Sequence, residues 1–336
     1  MKDYRLKENR LSYFMQYYKM NLEHGTHPGL VYLYMPELKK RLGWNDEQAL
    51  WFAMLNGLTQ NPITSMRMLE VMPTMPESKL EFNRAHIWFN EDWLNLQFDT
   101  DRVKNKRNTM KAIWSYSEMV KAAGSQAALW APGQTYDSLW DKANGIHSLG
   151  RLSTFSYLEY VYLNGFGADC TNLMFDDVSG SKSHRNGMLF LTGLDELVYD
   201  KRAGNEFDGK YDNFKGMCAY FDNLAADYIA AFKQDNPDIK FAGNFTFESQ
   251  LCAFKNGFFS RRYPGVYADM AADRIKWYDD RGLSSYTEIF KEIRSDCLPT
   301  WLRQECEPKA IPRPAKAKQF AETGVPYRAE HFMEEV

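Results

Sequence analysis

The densest run of reactive side chains lies between residues 248 and 269. Glu248-Ser249-Gln250-Leu251-Cys252-Ala253-Phe254-Lys255 is followed by Arg261-Arg262-Tyr263-Pro264-Gly265-Val266-Tyr267-Ala268-Asp269. At helical spacing Glu248, Cys252 and Lys255 share one face. The Arg-Arg-Tyr-Pro-Gly turn presents two guanidiniums, whose planar forks suit two-point capture of phosphate oxygens. Tyr263 and Tyr267 offer flat faces on which a nucleobase can stack. A surface ion-pair network around a Pro-Gly turn uses the same residue types, so this run leaves both readings open.

Two further segments carry chemistry. In Gly180-Ser-Lys-Ser-His-Arg-Asn-Gly187, four polar or cationic side chains (Lys182, His184, Arg185, Asn186) crowd between two glycines. This is the pattern of an anion or base-edge site, or of a solvated loop. His184 is the imidazole in reactive company; His24, His27, His86, His147 and His331 read as structural or surface residues. In Ser156–Asp177, a helical run ends at Leu163-Asn164-Gly165-Phe166-Gly167 and a second is expected from Ala168. Two glycines between short helices have the sequence look of a helix-hairpin-helix, where backbone N–H groups approach a phosphate. A plain helix-to-helix turn looks the same.

The elements that must position these groups read as mainly helical. Residues 4–24 place Leu11, Phe14, Tyr18 and Leu22 close to a 3.6 period. Asn45 and Gln48 have the spacing of a capping box ahead of a helix that buries Leu50, Trp51, Met54 and Leu55. Further helices are expected near 62–72, 108–122, 153–163, 168–175, 214–234, 248–258, 266–280 and 285–294. Short strands are expected within 85–98 and 239–247. The fold class is thus mainly α, with one large helical domain over 1–308 whose lobes would meet near 125–150. Residues 309–336 form a separate basic, Pro-containing arm; Lys309–Lys318 holds four basic residues and two prolines.

Composition sets outer limits. The 336 residues carry 41 Lys+Arg against 44 Asp+Glu, so a globally basic nucleic-acid binder is excluded and any phosphate contact must be a local patch. Lys104–Lys111 is one more such run. The 22 Phe, 20 Tyr and 9 Trp are a large aromatic share; most read as core residues, and the polar handles of Tyr and Trp leave part of the excess for recognition. The polar N-terminus holds no apolar run of a signal peptide, and no stretch suits a membrane span. Five scattered cysteines with no CxxC pair argue for a reducing compartment and against a structural metal. GxxxxGK[ST], HExxH and GxSxG are absent.

Taken in order, several of these segments resemble one family. They are Gly150-Arg151-Leu152-Ser153 with Tyr157, Glu159 and Tyr160, the Gly165-Phe166-Gly167 hairpin, Ser183–Gly187 and Glu248–Asp269. Together they resemble the phage alpha-glutamyl/putrescinyl thymine pyrophosphorylases. His27–Pro36 and Leu55-Asn-Gly-Leu-Thr-Gln-Asn-Pro62 resemble the branch of amino acid:DNA transferases. The likeness runs from about residue 10 to 295.

The resemblance implies a helical fold like that of helix-hairpin-helix DNA glycosylases. It also implies an activity in thymine hypermodification: a DNA kinase turns 5-hydroxymethyluracil in DNA into a pyrophosphate ester, and the transferase replaces pyrophosphate with an amine. The partners implied are double-stranded DNA bearing the modified thymine and a free amino acid such as glycine, or a polyamine such as putrescine. The place of action is the cytoplasm of the infected host. Glycosylases of this superfamily carry Val-Asp-Thr-His after the hairpin, whereas the counterpart here is Lys182-Ser183-His184. A cation there favours phosphate over an oxocarbenium ion, although Asp176 and Asp177 lie nearby.

With that chemistry in view, the candidates take roles. Asp269, Glu248 and His184 are candidates, in that order, for the base that deprotonates the amine, and Cys252 for covalent addition to C6 of the ring. Arg261, Arg262, Lys255, Arg185 and Lys182 would hold the pyrophosphate. Tyr263, Tyr267, Asn186 and Tyr157 would hold a flipped base, with Tyr160 a weaker candidate. Gly165, Gly167 and Arg151 would touch the DNA backbone. No cofactor motif or metal cluster is legible, and Mg2+ would enter with the pyrophosphate. A base-presenting module for a DNA kinase and a glycosylase remain as alternative functions.

Overall fold

The computed structural model describes residues 3–26, 31–99, 106–178, 180, 182–198, 207, 211–258, 271–306 and 322–325. Among the described residues there are fifteen α-helices and no strand. The fold class is therefore mainly α, as the periodicity indicates. The chain divides into two compact units: residues 1–30, 170–273 and 294–336 form one, and 31–169 with 274–293 form the other. The changeover from the second unit back to the first comes at Asp169 and Cys170 rather than near 125–150. Most of the basic arm, including Lys309–Lys318, lies outside the described residues.

In the second unit, α2 (Val31–Leu42), α3 (Asp46–Thr59), α4 (Pro62–Val71), α5 (Lys79–Glu91) and α6 (Thr109–Ala123) are followed by α7 (Gln126–Leu129), α8 (Tyr136–Asn144) and α9 (Arg151–Leu163). The capping box forms as the sequence indicates. Gln48 N–H donates to Asn45 Oδ1 at 2.9 Å, and Asn45 N–H to Gln48 Oε1 at 3.1 Å. Such a cap contributes about 1 kcal/mol. The helix it starts is buried from Ala49 through Thr59, and α9 packs along it. Gly57 permits that approach: a Cβ there would lie 3.1 Å from Tyr157 Cβ. Gln60 turns α3 into α4 in the left-handed region (φ 48°), after which Asn61 caps α4 and Pro62 fills its first position.

The first unit is built from α1 (Lys7–Glu23), α10 (Lys182–Leu191), α11 (Phe214–Asp235), α12 (Asn244–Phe258) and α15 (Thr300–Cys306), whereas α13 (Ala271–Asp279) and α14 (Glu288–Cys297) lie mostly in the second. Much of the aromatic excess is consumed in the first unit. Phe14 meets Phe247 and Phe254 edge-on at 5.0 and 5.2 Å, and Tyr18 meets Phe247 at 5.6 Å. These rings are fully buried, and each such side chain contributes roughly 1.5–3 kcal/mol of burial.

Three local expectations are corrected. Residues 85–98 belong to α5 and a 3-10 turn at Trp93–Asn95, not a strand; Ser78 and Glu81 form a capping box that commits the segment to helix. Residues 239–247 run through turns into α12 rather than a strand. No helix begins at Ala168: residues 168–178 are turns and bends. The helix after the glycines is α10, so Lys182–Gly187 is helical rather than the solvated loop that was one of its two readings.

Candidate functional site

The site grows from the contact between α10 and α12 in the first unit. Gly187 lets the two helices touch backbone to backbone: a Cβ there would sit 2.3 Å from the Leu251 carbonyl oxygen. The start of α12 is pinned from several directions. Asn244 Nδ2 donates to the Cys170 carbonyl at 2.6 Å, Thr246 Oγ1 lies 2.7 Å from Tyr18 Oη, and Gly243 N–H donates to Tyr18 Oη at 3.2 Å. One face of α12 is thereby fixed against the first turn of α10.

On that face Glu248 is 4% exposed and His184 is 1% exposed. His184 Nδ1 lies 2.8 Å from Glu248 Oε1, and Nε2 lies 2.8 Å from the Leu173 carbonyl oxygen. A carbonyl can only accept, so Nε2 carries a proton. The Nδ1–Oε1 contact then needs a second proton, held as imidazolium beside carboxylate or as imidazole beside carboxylic acid. Either way the pair shares one mobile proton and stays neutral overall, which is how two ionisable groups survive burial. Cys252, one turn along and half-buried, donates its thiol to the same Glu248 oxygen at 3.8 Å. Glu248 thus sits between an imidazole and a thiol.

Cys218 has a different setting. Burial pushes the Cys218 thiol up to about 12, partly offset by Arg185, so it stays an inert thiol. A further shell supports His184 from behind: Leu173, whose carbonyl holds Nε2, donates its own N–H to Asp222 Oδ1 at 2.9 Å. Burial raises the Asp222 carboxyl above its ordinary value, with that N–H and His184 pulling it down and Asp176 pushing it up. Asp222 on α11 went unrecognised in the sequence because it sits 38 positions from His184 and in no motif.

Lys255 lies on the same face and donates from Nζ to Ser183 Oγ, which ties it to the first turn of α10 beside Lys182. The structure therefore brings Glu248, Cys252, Lys255 and His184 together, as helical spacing and the Ser183–Gly187 segment suggested. Arg261, Arg262, Tyr263, Tyr267 and Asp269 lie outside the described residues.

Several expected roles are corrected. Arg185 is 1% exposed; its guanidinium donates to the Phe175 carbonyl and lies 5.2 Å from the Phe214 ring centre. It braces the interior, because a side chain on the far side of α10 from solvent cannot reach a phosphate. Asn186 is likewise buried in α10. Tyr157 is fully buried in the second unit, where its hydroxyl donates to Tyr116 Oη at 3.0 Å and its ring packs edge-on against Trp130 at 5.3 Å. Both faces serve packing there, and Tyr160 is buried too. Gly165 and Gly167 adopt positive φ (85° and 66°), as glycine permits. Their N–H groups are already used, by the Tyr162 carbonyl at 2.9 Å and the Trp130 carbonyl at 2.7 Å, so neither offers a phosphate a donor. Arg151 is half-exposed at the first turn of α9.

The ligand atoms of His184, Glu248 and Cys252 lie within 4.8 Å of one another. A tetrahedral zinc would hold its nitrogen and oxygen ligands about 3.3 Å apart. The observed 2.8 Å is a hydrogen-bond distance, and the cluster is organised around a proton. Mg2+, which takes oxygen ligands, fits this thiol and imidazole poorly.

A buried carboxyl group between an imidazole and a thiol, on an all-helical frame, holds the residue types that proton transfer and nucleophilic chemistry use. Comparison with known proteins specifies the class. The family model described as "Amino acid:DNA transferase" matches residues 30–263. A protein of Salmonella phage ViI named "Serinyltransferase" is 30% identical over 312 residues, covering 86% of this chain and 73% of the relative. No solved structure matches. The chain belongs to the amino acid:DNA transferase family; it is a transferase that moves an amino acid onto DNA. Among the described residues no helix is long and apolar enough to cross a membrane.

Proposed function

We propose that the protein joins the amine nitrogen of a small amino acid, glycine or serine, to the methylene at C5 of a thymine-derived base in DNA, with pyrophosphate leaving. The serinyl transfer for which the phage relative is named supports a small donor. The observation that carries the reading is Glu248, buried yet bonded to both His184 and Cys252. Its helix leads in sequence into Arg261, Arg262, Tyr263, Tyr267 and Asp269.

In the direct route the target base flips out of the duplex, at a cost of a few kcal/mol, and stacks on Tyr263 or Tyr267. The amino acid arrives as an ammonium ion and gives one proton to Glu248 or Asp269. The N–C bond forms as the C–O bond to pyrophosphate breaks, and the electron pair leaves on oxygen. Arg261, Arg262, Lys255 and Lys182 stabilise that growing charge, with Mg2+ carried on the pyrophosphate itself. A kinase acting on 5-hydroxymethyluracil in DNA supplies the ester, and the reaction runs in the cytoplasm of the infected host.

The contact from Cys252 to Glu248 favours a covalent variant. Glu248 takes the thiol proton and sulfur adds to C6. The ring electrons then expel pyrophosphate to leave an exocyclic methylene. The amine adds to that methylene, the C6–S bond breaks, and the ammonium proton returns to sulfur.

The test is to incubate the protein with DNA containing pyrophosphorylated hydroxymethyluracil and a mixture of amino acids and polyamines. The DNA is then digested and its nucleosides weighed. An amino acid linked through its nitrogen to the C5 methylene, with released pyrophosphate, is the expected result, and Arg261→Ala or Arg262→Ala lowers turnover more than tenfold. A putrescine adduct, abasic sites, or tightly bound but unchanged DNA would each replace this reading with another. A normal rate for Cys252→Ser disposes of the covalent variant and leaves direct displacement.

A further inference from the structure

Away from the cluster, within the second unit, α5 and α6 flank a pair of hollows. The first has a volume of about 530 Å3 and is bordered by Lys79, Phe82, Lys111, Trp114 and His147. The second, about 350 Å3, is bordered by His86, Asn90, Trp93 and Arg107. On α5 the residues Lys79, Phe82, His86 and Asn90 recur every three or four positions, so they form one stripe along the helix, and Trp93 follows in the 3-10 turn beyond its end. Arg107, Lys111 and Trp114 do the same on the facing chain. The two hollows follow one another along α5, and the Phe82 and His86 rings, 5.8 Å apart, join their linings.

Three features fix what the groove suits. Its cations, Lys79, Arg107 and Lys111, are exposed, and among the described residues no Asp or Glu lines either hollow. The chain as a whole carries a formal charge of −3, so a lining with three cations and two imidazoles is a local concentration against the average. Aromatic rings alternate with those cations: Phe82 meets Trp114 edge-on at 5.0 Å, and Phe89 meets Trp93 at 5.5 Å. Finally, cations already sit on the two indoles. Lys121 Nζ lies 5.0 Å from the Trp114 ring centre and Lys106 Nζ 4.2 Å from that of Trp93. Lys106 is also held by the Leu96 carbonyl at 2.7 Å.

We infer that this groove binds a strand of the DNA substrate, with phosphates on Lys79, Lys111 and Arg107 and one unstacked base against Trp114. Cations spaced between aromatic faces are the arrangement that holds a strand by its backbone and by stacking without reading its sequence. An acidic protein segment would satisfy the charges and leave the aromatic faces unused. A groove that holds a strand by backbone and stacking belongs to substrate capture rather than to bond making. The inference rests on the reading of DNA as substrate in the preceding subsection.

The test measures binding and turnover separately. Fluorescence anisotropy with labelled single-stranded and duplex DNA is run over a range of salt for the wild type and for Lys79→Glu/Lys111→Glu. The double variant is expected to bind at least tenfold more weakly, with the salt dependence of log Kd shallower by roughly two. Its kcat at saturating DNA should stay within about twofold of the wild type, since neither lysine serves the chemistry. Trp114→Leu should weaken single-strand binding several-fold, and Trp114→Phe should restore it. Unchanged Kd and salt slope in the double variant overturn the groove while the DNA-transfer reading stands. Failure of the wild type to bind DNA at all overturns that reading. Competition by polyglutamate as strong as by a DNA strand of equal charge would assign the groove to an acidic protein.

Discussion

Two helix contacts, one in each unit, are each opened by a glycine, and they use that closeness differently. Where α3 meets α9, Gly57 faces the side chain of Tyr157. The surrounding buried polar groups are hydroxyls, amides and an indole. Tyr157 donates to Tyr116, Tyr116 lies 2.9 Å from Gln126 Oε1, Trp130 Nε1 donates to Tyr116 Oη at 3.2 Å, and Thr59 Oγ1 lies 2.8 Å from Ser65 Oγ. Burial raises the Tyr116 and Tyr157 hydroxyls above their ordinary values, so these groups stay neutral. Where α10 meets α12, Gly187 faces a backbone carbonyl, and the groups brought together are a carboxylate, an imidazole and a thiol. The first contact is a neutral network that holds a shape. In the second, a carboxyl group meets both an imidazole and a thiol, the residue types that proton transfer and nucleophilic attack use.

Substitutions can break that contrast, and the largest effect is expected at Glu248. Glu248→Gln keeps the size and a hydrogen bond but removes the proton acceptor, so transfer should fall about 10²–10⁴-fold. The melting temperature should fall much less. Tyr157→Phe, the matching change in the other contact, should cost about 1 kcal/mol of stability and leave the rate at saturating substrate unchanged. A rate loss in Tyr157→Phe as large as in Glu248→Gln would erase the distinction.

The two glycines should separate next. Alanine is favoured over glycine by roughly 1 kcal/mol inside a helix. At Gly57 the new methyl would lie 3.1 Å from a side-chain carbon, so Gly57→Ala should stay within about 1 kcal/mol of the wild type in chemical denaturation. At Gly187 the methyl meets a carbonyl at 2.3 Å, which forces the helices apart. Gly187→Ala should cost about 1–3 kcal/mol and lose activity beyond what that instability explains. Equal stability in the two variants would show that α10 slides freely on α12.

The smallest expected effect is a pH slope from Asp222. Burial raises its folded carboxyl value, so between the unfolded value near 3.8 and the raised one the native state binds more protons than the unfolded chain. Its stabilising contribution is complete below that lower value and is lost as pH rises through the raised one. Asp222→Asn should flatten this part of the stability profile. It should also shift the pH dependence of transfer, because Leu173 links Asp222 to His184. A superimposable pair of profiles would remove Asp222 as a positioning residue.

What could be read from the sequence follows physical range. The Asn45–Gln48 capping box, the buried face of α3 and the shared face of Glu248, Cys252 and Lys255 depend on residues within four positions, and spacing reports them directly. The strands expected at 85–98 and 239–247 failed because short apolar runs do not distinguish strand from helix. In the first case a capping box at Ser78–Glu81, just upstream, decided the matter. The roles expected of Arg185, Tyr157, Gly165 and Gly167 failed for another reason. Residue type says that a side chain or amide can bind phosphate or a base, but not that it is already committed to an interior partner.

The sequence alone thus determined the helical class, the family likeness and the identity of the reactive groups, because local periodicity and motif order survive without coordinates. Tertiary structure decided which of those groups share a proton. His184 and Glu248 lie 64 positions apart, and only the glycine-permitted contact of α10 with α12 turns that separation into a 2.8 Å hydrogen bond.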